Sequence, residues 1–231
     1  MKTLLICHAG ADLIEQGIAR WLASFSDLTG IILLHERRNR LVRRMKSEIK
    51  RSGFLGLLDV LAFRAYYTLA LAGRDRRWQQ NELERISNLY PVLGPEVEML
   101  HTHSPNTKSA ERFIEDKSPD IMIAFCKILI KERIFSLPRK GTFVMHPGIC
   151  PEYRNAHGCF WALANDDMDK VGMTLLRIDR GVDTGPIYGY YSYNFDEVAE
   201  SQFVIQHRVI LENLEVLREK LIAIHEGTAE P

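Results

Sequence analysis

Apolar side chains first gather in a short continuous run, Thr3 to Cys7 (TLLIC), which the turn His8-Ala9-Gly10 closes. From residue 12 to 25 the spacing changes, and Leu13, Ile14, Ile18, Trp21, Leu22 and Phe25 recur at helical intervals. Gly30 is expected to end that unit, and Ile31 to Leu34 reads as a second buried strand. A switch from strand period to helix period and back marks a β-α-β opening, with parallel strands joined by a crossover helix. The rhythm resumes with a weak strand at 96–100, a helix over 107–115 introduced by Pro105-Asn106, and a buried strand over 120–126 (DIMIAFC). A strand at 142–145 and a short helix over 160–164 follow, in which Trp161 is expected to be core. The stretches 172–178 and 187–193 read as sheet-edge or antiparallel strands. The fold class is therefore α/β, a mainly parallel sheet with flanking helices.

Two segments interrupt the alternation. Residues 36–51 (ERRNRLVRRMKSEIKR) carry eight Lys/Arg against two Glu, and a mostly helical insertion runs on to about residue 90. Within it, 54–73 is apolar enough to raise the question of a membrane span. Asp59 and Arg64 are each costly at a bilayer centre and favour a buried helix of a soluble protein instead. The second segment is the tail. Phe203, Ile210, Leu214, Leu217, Leu221 and Ile224, with His207 in the gap, step by threes and fours, which predicts one long helix over 199–226 with a continuous apolar seam. That seam is free to pack on its own domain or to form a homodimer. The division expected is a catalytic domain over 1–197 and a C-terminal helix and tail over 198–231.

Composition narrows the classes. In 231 residues, 46% are hydrophobic and 26% charged, which argues against disorder and against a disulfide scaffold. Thirty basic residues balance thirty acidic ones, so no bulk attraction draws the chain to nucleic acid. The basic stretch at 36–51 is either a solvated helical face or a local patch for an anion. Cys7, Cys126, Cys150 and Cys159 form no CxxC pair and read as small buried hydrophobes, consistent with a reducing compartment. The opening MKTLLICHAG has too short an apolar core for a signal peptide, so a cytoplasmic location is expected. His101 and His103 lack acidic company, and no metal is expected.

The chemistry concentrates in 141–187. Here a strand ends in His146-Pro147-Gly148, placing an imidazole where open α/β sheets bind ligands. Pro151-Glu152-Tyr153-Arg154-Asn155-Ala156-His157-Gly158 follows, then Gly172-Met173-Thr174, then Asp179 through Gly185 with Asp183 between glycine-bearing turns. A His and an Asp on converging loops suit proton transfer and stabilisation of developing charge. Spacing alone makes that pairing weak, because both residue types are common.

Together with Trp161-Ala162 and the upstream run Ala124 to Leu129, these motifs resemble the signature of the folate-dependent formyltransferase family. The resemblance is collinear over about 95–195. It implies a Rossmann-like fold and transfer of a formyl group from 10-formyltetrahydrofolate to an amine, with no metal. It places Phe125, Cys126, Lys127, Ile128, Leu129, Gly181 and Val182 at the folate pocket, and His8, Gly10, Tyr153 and Arg154 at the acceptor. It gives the oxyanion to His146 and proton handling to Asp183. One position departs: the family has Asn two residues before the His, and this chain has Val144, which cannot donate to a formyl oxygen. Asn155 or His157, from across the site, is the expected replacement.

The acceptor implied is a small amine, an amino-sugar nucleotide in particular. Only enough chain for a strand and a helix follows Asp183, short of the tRNA-binding domain of the methionyl-tRNA enzymes. The first βα turn, Cys7-His8-Ala9-Gly10-Ala11-Asp12, has one glycine, none of the serines with which the glycinamide ribonucleotide enzyme holds phosphate, and an Asp whose charge opposes it. The alternatives are a glycinamide ribonucleotide formyltransferase-like enzyme, or a weakened or inactive member that binds an anionic partner as a scaffold.

Overall fold

The computed structural model describes residues 1–36, 50, 53, 56 and 58–231. Its centre is a seven-stranded sheet of order β3-β2-β1-β4-β5-β6-β7. The strands are β1 (Lys2–His8), β2 (Asp27–Leu34), β3 (Glu98–Thr102), β4 (Ile121–Phe125), β5 (Gly141–His146), β6 (Met173–Arg177) and β7 (Ile187–Tyr191). The first five in the sheet run parallel, and β6 and β7 add an antiparallel edge. The α/β expectation holds, including the antiparallel pair. Winding runs from β1 out to β3, then restarts at β4 on the other side of β1. The carboxyl ends of β1 and β4 thus flank the switch point where such sheets bind ligands.

Central strands are buried on both faces, which is why they read as unbroken apolar runs rather than alternation. On one face Leu5, Cys7, Ile31, Leu33, Ile123, Phe143 and Met145 meet α1 (Ala19–Phe25), which a π-helical turn at Leu13–Ile18 precedes. On the other, Leu4, Ile6, Ile32, Leu34 and Met122 meet α3 (Lys108–Lys117) and Ile134 of α4 (Glu132–Phe135). Gly30 does not end a unit. It lies inside β2, where a Cβ would come within 2.7 Å of the Phe113 ring, so the glycine makes room for α3 packing.

The expected insertion is helical where described: helical residues 58–66, a π-turn at Tyr67–Leu71, then α2 (Ala72–Leu89). Most of the basic stretch 36–51 lies outside the described residues. The 54–73 segment was expected to be buried, and its described part is not: Leu58, Leu61, Phe63, Tyr66 and Leu69 are exposed. Anchoring comes mainly beyond it, where Ile86 packs on Gly17 and Trp78 meets Phe203 edge to face. Buried Asp75 accepts from Tyr67 Oη and Ser201 Oγ, both at 2.8 Å.

The tail is two helices, α6 (Gln202–Leu211) and α7 (Leu214–Glu226), instead of one. Asn213 makes the break. Its side-chain amide takes the Val209 carbonyl at 2.8 Å and Ser192 O at 3.1 Å, while its own N–H bonds Ile210 O. A short amide that competes with the main chain favours a cap over helix continuation. Of the seam residues, Ile210, Leu214, Leu217, Leu221 and Ile224 are buried in the core of this same chain.

Candidate functional site

α5 (Gly158–Ala164) begins just after the loop that carries Tyr153 to His157, and Cys159 and Ala162 lock it onto Ile205 of α6. The loop itself folds back so closely that only glycine fits at two places. A Cβ on Gly158 would lie 2.6 Å from the Gly148 Cα, and a Cβ on Gly148 would lie 2.6 Å from the Tyr153 carbonyl oxygen. Thr174, fully buried on β6, ties the same loop by its hydroxyl. It donates to Gly148 O at 2.7 Å and accepts from Cys150 N at 3.0 Å. Tyr190 Oη adds a bond to Cys150 O at 3.0 Å.

This fixture sets the imidazole. His146, 6% exposed at the end of β5, has Nε2 2.9 Å from the Tyr153 carbonyl oxygen. A carbonyl only accepts, so Nε2 carries the proton, and in the neutral ring Nδ1 carries the lone pair. Nδ1 lies 3.7 Å from Asp183 Oδ2. That is beyond a direct hydrogen bond, and the gap between two acceptors suits a donor placed between them. Asp183 Oδ2 also accepts from the Asn155 main-chain N–H at 2.9 Å.

Asp183 is held by its own loop. Asp179 Oδ1 accepts from Gly181 N at 2.9 Å and Thr184 Oγ1 at 2.8 Å, closing the turn, and Asp183 adopts a left-handed φ of 52°. Asp is among the residues that tolerate αL geometry, and the Asp183 carboxylate is held from outside its turn by the Asn155 N–H. Arg180 reaches from the loop to Glu132 through two bonds of 2.9 and 2.8 Å.

The structure therefore brings His146, Asp183 and Asn155 together, the last through its backbone rather than its side chain. Tyr153 contributes its carbonyl, while its hydroxyl turns away to Asp167 Oδ2 at 3.0 Å. His157 caps α5 with a left-handed φ of 67°, and both it and Arg154 are exposed. Val144 shares the His146 face of β5, since residues two apart on a strand point the same way. At the switch point, Lys127 N donates to His8 Nε2 at 3.2 Å, which joins the β1 and β4 loops. The Gly10 amide is taken by Glu15 Oε2 at 2.8 Å. In the Phe125–Leu129 loop, Phe125 and Ile128 are half-buried and Leu129 is 68% exposed, and Val182 is exposed on its own loop.

The thiols are not nucleophiles here. Burial pushes Cys7 up to about 12 and Cys126, Cys150 and Cys159 up to about 11, so each stays protonated near neutrality. Trp161 is not core. It is 53% exposed and meets Phe160 edge to face, because the buried side of α5 is spent on Cys159 and Ala162. Sequence reading passed over Thr174, Gly148 and Gly158 as site-builders. The signal was present in Pro147-Gly148 and His157-Gly158, two glycines flanking one loop.

The profile of the formyl transferase family matches residues 77–221, well over half of the chain. The chain belongs to the formyl transferase family. It is 31% identical over 144 residues to methionyl-tRNA formyltransferase of Thermotoga neapolitana, covering 59% of this chain and 43% of that protein. The chain thus matches less than half the length of that curated relative. Among solved structures it resembles phosphoribosylglycinamide formyltransferase from Anaplasma phagocytophilum, with TM-score 0.58, 11% identity and coverage of 98% of this chain and 88% of that one. It also resembles a sugar N-formyltransferase from Shewanella, with TM-score 0.55, 14% identity and coverage of 100% and 72%. At those identities the structural likeness establishes the fold alone. Formyl transferases with three kinds of acceptor are thus among its relatives and neighbours.

Proposed function

We propose that this chain transfers a formyl group from 10-formyltetrahydrofolate to the amine of a small acceptor, with an amino-sugar nucleotide as the acceptor class. The observation that carries the reading is the 3.7 Å approach of His146 Nδ1 and Asp183 Oδ2 at the carboxyl end of β5, in a chain of this family. The folate supplies the electrophilic formyl carbon when bound, with Phe125 to Leu129, Gly181 and Val182 as the residues that would hold it. An amine entering between Nδ1 and Oδ2 finds two proton acceptors, which hold its N–H groups, take a proton as it attacks, and return one to the folate N10 as the bond from N10 to the formyl carbon breaks. The Tyr153 carbonyl fixes the ring so that Nδ1 stays the basic nitrogen. A hydrogen bond from His146 to the formyl oxygen, the role the family resemblance implies, requires either that Nε2–H leave Tyr153 or that Nδ1 has itself taken a proton. Asn155 and His157 remain the residues proposed to meet that oxygen in place of the family Asn. No metal is invoked.

Support for a sugar acceptor over a ribonucleotide one comes from the first βα turn. The Gly10 amide, which a phosphate at that helix start would use, is already bonded to the Glu15 carboxylate. Val144 favours a second reading, a family fold retained for binding with little or no turnover.

The test is a mass measurement of formyl gain over a panel of amino-sugar nucleotides, glycinamide ribonucleotide and methionyl-tRNA with 10-formyltetrahydrofolate. Turnover of a sugar amine, lost by about 10²-fold or more in His146→Ala and Asp183→Ala, supports the proposal. Turnover of methionyl-tRNA or the ribonucleotide alone replaces the acceptor. Folate binding without turnover of any amine selects the binding reading. Equal rates in Asn155→Ala and His157→Ala would remove those two from the oxyanion role.

A further inference from the structure

Residues 58–71 form a helical segment that the rest of the protein leaves largely bare: all but half-buried Val60, Tyr67 and Leu71 are exposed. Leu58, Leu61, Phe63, Tyr66 and Leu69 are exposed, Phe63 by 63% and Leu69 by 88%. Ala62, Ala65 and Ala70 between them are exposed as well. A helix apolar around most of its circumference is one that something must cover, and a contiguous apolar surface of this kind marks a docking face. Its continuation, α2, is seated on the domain through Asp75, Trp78 and Ile86. One end is therefore anchored and the other presented.

The charge along the same helix is one-sided. Arg64, Arg74, Arg76 and Arg77 are exposed, and none makes an ion pair among the described residues. The acids over 58–77 are Asp59, which is exposed, and Asp75, which is buried and already bonded to two hydroxyls. The sequence leading into the helix is basic too, with eight Lys/Arg against two Glu over 36–51.

We propose that this helix docks on an anionic membrane surface, lying in the interface with its apolar side chains among the lipid headgroups and its arginines on lipid phosphates. Helices that lie on membranes combine a broad apolar face with Lys and Arg, and each basic group near an anionic leaflet adds attraction. Arginine stems cover apolar surface while their guanidinium groups reach phosphate. Tyr66 suits the same depth, with an apolar ring and a polar tip. A second copy of the chain is a poorer occupant. Two-fold pairing of this face would set the same four arginines against one another, with Asp59 as the only exposed acid of the segment to offset them. Spanning is a different matter: among the described residues no helix is long and apolar enough to cross a membrane. Asp59 and Arg64 are costly at a bilayer centre and tolerable at its surface.

Flotation with phosphatidylcholine vesicles, with or without about a third phosphatidylglycerol, tests the docking directly. The full chain is expected to float with the anionic vesicles, to float poorly with the neutral ones, and to be released by added salt. The Leu61→Glu/Leu69→Glu variant should partition at least about tenfold less. Arg74→Gln/Arg76→Gln/Arg77→Gln should lose the preference for the anionic vesicles. Should the double variant melt early, Leu69→Ser alone replaces it, since Leu69 has the least contact with the fold. His146→Ala should float like the parent whatever its transfer rate, which separates docking from catalysis. The proposal is overturned if the parent stays unbound at low salt or if the leucine and arginine variants float unchanged. A dimer by light scattering that Leu69→Glu dissolves, without vesicle binding, assigns the face to a second copy instead.

Discussion

Thr174 shows how little of a site needs to touch substrate. Its buried hydroxyl bonds Gly148 O and Cys150 N, and that loop in turn presents the Tyr153 carbonyl to His146. Thr174→Val keeps the shape and strands two buried main-chain groups, which is expected to cost about 2–4 kcal/mol in denaturant unfolding. Under conditions where the variant remains folded, kcat should fall more than KM, because the loss is in ring placement rather than binding. Val144 sets the opposite test. An Asn on the His146 face should raise the transfer rate by about tenfold or more if the formyl oxygen lies there, and an unchanged rate in Val144→Asn places the donor elsewhere. His146 and Asp183 were legible because strand-end His-Pro-Gly and a glycine-flanked Asp are local patterns. Thr174 was quoted in the same motif yet had no visible role, since its partners lie 24 and 26 positions away and meet only across the sheet edge. Trp161 misled for a related reason. A large apolar residue on a short helix says nothing about which side of that helix is covered.

At the scale of elements, the succession of strands and helices along the chain followed from periodicity, and the exceptions have identifiable causes. Asn213 splits the predicted tail helix by bonding the Val209 carbonyl, a competition invisible in a pattern of leucines and isoleucines. Gly30, read as a stop, is a clearance for Phe113. His207 sits in the seam of α6, and burial lowers its pKa, assisted by the Lys127 charge, against the Phe203 carbonyl and Asp75, which raise it. Its folded state resists protonation more than its unfolded state does. The stability it contributes is therefore complete above the ordinary histidine value near 6.5 and is lost as pH falls through that value toward the lowered one. Melting temperature should drop between about pH 7 and pH 5 in the parent, and His207→Gln should flatten that slope. An equal slope in the variant would assign the acid sensitivity to other groups.

Over the whole molecule, the insertion and the tail are joined through one buried carboxylate. Asp75 accepts from Tyr67 and from Ser201, the residue that caps α6 by accepting from Val204 N at 3.2 Å. Asp75→Ala should destabilise the protein by about 1–3 kcal/mol. Hydrogen exchange should rise in both α2 and α6, whereas a purely local role would raise it in α2 alone. The surface pair Arg180–Glu132 is exposed on both sides, and Glu132→Gln should change stability by no more than about 1 kcal/mol.

By itself the sequence determined the α/β class and the strand sequence, and it named the residues proposed for the site. Each of these is written in local periodicity or in a motif of contiguous residues, and local geometry follows from local sterics. Only the tertiary structure decided which nitrogen of His146 is basic, since the Tyr153 carbonyl that fixes it arrives on a loop folded back between two glycines. Only the tertiary structure decided, too, that the apolar helix at 58–71 lies largely exposed. Burial depends on what else the chain brings alongside, and no stretch of sequence records its own neighbours.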